Sequence, residues 1–90
     1  PNPIKYVSSS KIRVETYDAK NIALKVYDSN GIPVDEFSNY IQFEGAQISE
    51  WDFDITSLES GIYFGYLEVK PLDFSGKKES ETLIKIAVIK

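Results

Sequence analysis

Residues 51–69 read WDFDITSLESGIYFGYLEV. Trp51 and Phe53 alternate with Asp52 and Asp54, the period-two pattern of a strand with one face inward and one in water, and the pattern makes Trp51 the expected core anchor. Thr56 and Glu59 stand three apart, as in a capping box, so one short helical turn pressing Leu58 onto the core is expected next. Ser60-Gly61 ends that turn, because glycine reaches positive φ without steric cost and can turn the chain straight into a new strand. Residues 62–69 then supply the aromatic and β-branched side chains that suit a pleated surface.

Working outward, the same alternation recurs. Ile12, Val14 and Thr16 share one face of residues 11–17, with Lys11, Arg13 and Glu15 on the other. Asp18-Ala19-Lys20-Asn21 is expected to form a turn, after which Ile22, Leu24 and Val26 restore the alternation. Asp28-Ser29-Asn30-Gly31 is the best hairpin signal in the chain, since Asn30-Gly31 can supply the positive φ values of a tight turn. A third strand, residues 32–37, should therefore lie antiparallel to the second, with Pro33 placing it at a sheet edge. Residues 40–43 suggest a short strand with Ile41 or Phe43 inward. Residues 4–7 suit pairing along an edge, between the prolines Pro1 and Pro3 and the run Ser8-Ser9-Ser10. The loop from 70 to 80 is longer than most hairpin connections. The last strand, residues 81–90, places Thr82, Ile84, Ile86 and Val88 on one face and Leu83, Ala87 and Ile89 on the other. A strand so apolar on both faces is either covered on both sides or intended for a partner.

Six to seven short strands, with turn signals every eight to twelve residues and no longer helix, predict an all-β fold. The expected architecture is an immunoglobulin-like antiparallel β-sandwich, with a small barrel as the alternative. Ninety residues allow a single domain that buries only about 60 to 65 % of the surface its unfolded chain exposes, which leaves little room for a deep catalytic cavity. The chain contains no Cys and no His, which removes thiol nucleophiles, disulfides, imidazole bases and the usual zinc sites. It has no Met and opens Pro1-Asn2-Pro3 without a signal peptide, as a piece of a longer protein would. No segment is apolar for long enough to span a bilayer. The net charge is −4, and no Lys or Arg occurs between Lys25 and Lys70. An acidic domain without a basic stripe is a poor nucleic-acid ligand. No cofactor is expected, and no enzymatic activity.

Several residues invite a chemical reading beside a plainer one. Glu50, Asp52 and Asp54 point to one side of a strand and could ligate Ca²⁺ or act as an acid/base pair, but outward faces of strands are commonly charged. Residues 28–31 resemble the start of a calcium loop, yet lack its later Glu. Gly61 and Gly65 sit within a strand, with no helix following to bind phosphate. Tyr17, Tyr27, Phe64 and Tyr66 could stack on sugars or anchor a partner, or simply pair across strands.

Taken in order, Pro1-Asn2-Pro3, Tyr27-Asp28-Ser29-Asn30-Gly31, Trp51-Asp52, Ser60-Gly61-Ile62-Tyr63-Phe64 and the closing lysine-bracketed strand resemble the C-terminal sorting domain of proteins exported by the bacterial type IX secretion system. The resemblance implies a domain at the C-terminal end of a longer exported protein. Such a domain carries an N-terminal cargo through the periplasm to the cell surface, is recognised by the outer-membrane translocation machinery and is commonly removed by a sortase-like peptidase. It implies Lys85, Ile86, Ala87, Val88, Ile89 and Lys90 as the recognition element, and Asn30, Gly31, Trp51, Asp52, Gly61 and Tyr63 as structural determinants. On physical grounds a two-sided apolar terminal strand with a free edge suits capture by strand addition, and the same feature permits self-association. The competing expectation is an immunoglobulin- or fibronectin-like binding or spacer module of an extracellular protein.

Overall fold

The computed structural model describes the backbone of residues 4–7, and residues 11–73, 76 and 78–89 with their side chains. Seven strands form two sheets: β1 (Ile4–Val7), β2 (Lys11–Tyr17), β3 (Ala19–Tyr27), β4 (Pro33–Tyr40), β5 (Ala46–Asp52), β6 (Gly61–Pro71) and β7 (Ser80–Val88). The larger sheet runs β1-β7-β6-β3-β4 and the smaller is the pair β2-β5. This is the immunoglobulin arrangement, with the B and E strands facing a sheet ordered G-F-C-C′. All pairings are antiparallel except β1 with β7, which is parallel. The molecule is 42 Å long, as expected when its longest strand has 11 residues that each advance about 3.4 Å.

Both sheets turn their apolar alternates inward. Ile12 and Val14 of β2 join Ile22, Leu24 and Val26 of β3, Tyr63 of β6, and Ile84, Ile86 and Val88 of β7 in one buried cluster. Leu24, Val26 and Phe53 are among its most completely enclosed members. Trp51 is only half-buried. It stacks on Phe37 of the edge strand β4, with ring centroids 5.5 Å apart, while Phe53 lies deeper and meets Phe37 edge-on. The anchor of this segment is therefore Phe53 rather than Trp51.

Three expected elements differ. Residues 18–21 do not form the expected turn: β3 already starts at Ala19, and β2 and β3 belong to different sheets. Asp18 alone makes the crossing, at φ 53°. Its amide donates to the Gly45 carbonyl at 3.0 Å, and its carboxylate accepts from the Gly45 amide at 2.7 Å. Residues 41–43 are a loop rather than a strand, held by Ile41 and Gln42 amides donating to the Lys20 carbonyl and by Phe43 donating to Ala19. Ile41 packs on the core and Phe43 faces solvent. Finally, residues 56–59 form a turn and no helix. Asp54 holds it, accepting from both the amide and the hydroxyl of Thr56, and Leu58 still packs on the core as expected.

The β3–β4 hairpin is present but tightens differently. Gly31, at φ 82°, is the residue of this turn with positive φ, and its amide donates to the Asp28 carbonyl. The Asp28 carboxylate also accepts from the amides of Asn30 and Ile32, each at 2.9 Å. Residues 28–31 are a four-residue turn whose last member is the left-handed glycine, giving a three-residue loop between Asp28 and Ile32 rather than a two-residue one.

Candidate functional site

The stretch implied as the recognition element lies on β7, a central strand. Ile84, Ile86 and Val88 face the interior and are buried, and Lys85 and Leu83 are exposed on the outer face. Ala87 is buried too, although it faces outward, on a strand paired along both sides. Ile89 is 53 % exposed just past the strand, and Lys90 lies outside the described residues. The two-sided apolar pattern is thus resolved by position: one face fills the core, and the other is a mixed surface.

The expected free edge is not there. Along one side β7 pairs with β6 from Ser80 to Val88. Along the other it pairs with β1, Lys85 to Ile4 through Val88 to Val7. Periodicity reports which face a residue takes and is blind to which strands lie alongside, so the sequence could not reveal the cover that β1 provides.

The residues implied as structural determinants lie toward the end of the sandwich where β7 finishes. Gly61 starts β6 at φ 155° and is the register partner of Val88. Asn30, Gly61 and Tyr63 line one open groove of about 390 Å³ between the β3–β4 turn and the β5–β6 loop. Tyr63 closes that loop: its ring is buried, and its hydroxyl donates to the Glu59 carbonyl at 2.8 Å. A tyrosine near the start of strand F that bonds backbone a few residues upstream is the tyrosine corner of immunoglobulin-type sandwiches. Removing the hydroxyl in Tyr63→Phe leaves a carbonyl without that donor, so a loss of about 0.5–1.5 kcal/mol is expected in urea unfolding.

Trp51 and Asp52 stand at the end of β5. The acidic row there meets a basic one across the small sheet, where Lys11 is the register partner of Asp52 and Arg13 that of Glu50. Lys11 lies 3.4 Å from both Glu50 and Asp52, and Arg13 lies 3.7 Å from Glu50. Hydrogen bonds to Asp52 and then Glu50 hold the Lys11 ammonium above its ordinary pKa. Asp54 is occupied with its own turn. Among the described residues no group of acidic side chains is arranged to hold a metal ion.

The aromatic residues do not make one row. Tyr17 sits on β2, on the outer face of the small sheet, whereas Tyr27 and Phe64 are register partners on the outer face of the large one. Tyr66 shares that face, and its hydroxyl donates to Glu81 at 2.5 Å. That bond, followed by desolvation, raises the phenol above its ordinary pKa.

A β-sandwich tail with these landmarks at one end matches the family model described as the secretion system C-terminal sorting domain over residues 1–86. The chain belongs to that family, whose members are sorting signals of type IX secretion and act in export to the cell surface or beyond. The match ends within β7, so of residues 85–90 it includes Lys85 and Ile86. No curated protein and no solved structure matches the chain.

Proposed function

We propose that this domain is a non-catalytic address tag. It directs a cargo joined to its N-terminal side through the periplasm and the outer membrane, and the translocation machinery reads residues 85–90. Membership of the sorting-domain family over nearly the whole chain carries this reading. A sortase-like peptidase then separates tag from cargo.

The placement of β7 determines how the reading is tested. Deleting residues 85–90 would remove Ile86 and Val88 from the core and unfold the domain, confusing recognition with stability. Lys85 and Ile89 are exposed, and exposed substitutions usually change stability by no more than about 0.5 kcal/mol. Lys85→Glu combined with Ile89→Asp is therefore expected to keep the melting temperature of the domain while surface delivery of a fused reporter falls to the untagged level. Undiminished delivery by the folded double variant would rule these side chains out as the signal.

A further inference from the structure

We infer that the docking edge of β7 is the one β1 now occupies, and that β1 is a displaceable cover which an extended segment of the translocation machinery replaces. This rests on the sorting function proposed above. The register carries it: β1 pairs with Lys85, Ile86, Ala87 and Val88, four of the six residues proposed to be read. Main-chain capture of those residues requires one of the two flanking strands to leave.

The two flanks are unequal. On the β6 side nine antiparallel register pairs bind β7 to a strand that also pairs with β3 and contributes Tyr63 to the core. Releasing β6 dismantles the sandwich. On the other side stand four parallel pairs to a strand that ends the sheet. Parallel pairing is slightly weaker per residue. β1 is thus the flank whose release breaks fewer register pairs and leaves the β7-β6-β3-β4 ladder in place. A cover of this kind also has a purpose before delivery, because a bare apolar edge invites pairing between copies of the chain. The incoming segment takes the place of β1, runs parallel to β7, and is bound through main-chain hydrogen bonds, with Lys85 and Ile89 giving side-chain selectivity.

The chain has no cysteine, so a designed disulfide can pin the cover without competing thiols. Ile4→Cys with Lys85→Cys places the pair at register partners, where neighbouring strands bring Cα atoms within the span of a disulfide. In a host with the type IX machinery the unaltered tail is expected to reach the surface, and the double variant with its thiols kept reduced sets the reference level, so that any loss from replacing Lys85 is common to both arms. The cross-linked tail should fall about tenfold or more, the loss of a binding step weakened by about 1.4 kcal/mol, and regain delivery on reduction. Cross-linking is verified by the mass of the recovered protein. Delivery of the pinned tail at the level of its reduced form overturns the proposal, whereas failure of the unaltered tail itself overturns the sorting reading. Hydrogen exchange of the fusion protein gives a second test independent of the cross-link. Amides bonded between β1 and β7 should exchange about a hundredfold faster than those between β6 and β7, as expected of a locally opening edge; equal protection contradicts a displaceable cover.

Discussion

Phe53→Ala is expected to lower the stability of the domain by about 3–5 kcal/mol, the range for emptying a buried phenylalanine site. Phe53 is 1 % exposed and lies where β5 gives way to the β5–β6 loop. Its ring meets Phe37 edge-on at 6.1 Å, which adds the aromatic pair to the area it removes from water. A 90-residue domain has only about 5–15 kcal/mol in all, and the variant should sit near the threshold of folding. Trp51 is the only tryptophan, and its fluorescence in urea gives the transition directly. A loss below about 1 kcal/mol would mean that the interior near Phe53 is far looser than the packing described.

The second large effect is expected at Gly65, and it depends on the size of what is added. Gly65 is buried in mid-β6, where a Cβ would lie 3.1 Å from Ile86 Cδ1 and 3.1 Å from Leu24 Cδ1. Both obstacles are tips of flexible side chains, so a single methyl displaces them by a few tenths of an ångström. Against that crowding, alanine restricts the unfolded chain and gains about 0.4–1 kcal/mol, and Gly65→Ala should come out close to neutral. Valine has two further methyls with no space to enter, so Gly65→Val should cost about 1–3 kcal/mol as an overpacked site. The contrast is the test. Equal stability of the two variants in thermal unfolding would show that β6 and β7 are not packed as closely as these distances state.

Much of this architecture was legible because alternation is a local property. Ile12, Val14 and Thr16, and likewise Ile22, Leu24 and Val26, take the inward face as their spacing predicts. Residues 18–21 misled for a physical reason. The ladder between β3 and β6 shifts register between Ala19 and Asn21, so Ala19 and Ile22 are both buried although three apart. A break in period-two alternation looks the same in sequence whether it marks a turn or a bulge inside a strand.

The alternation along the last strand was legible, and its setting was not. The hydrophobic pattern marked residues 84, 86 and 88 as one face, but nothing in it says that β1, some eighty positions earlier, lies along their edge. The charged row of Glu50 and Asp52 was visible, yet its neutralisation by Lys11 and Arg13 depends on the β2–β5 register. Tyr63 was singled out by resemblance alone. Its part in closing the β5–β6 loop follows from a bond to a main-chain carbonyl, for which side-chain periodicity holds no signal.

The most direct measurement is surface delivery of a reporter fused ahead of residues 1–90, in matched hosts with and without the type IX machinery. A sorting domain delivers the reporter only where the machinery is present. Equal surface display in both hosts, or none in either from a folded fusion, would contradict it.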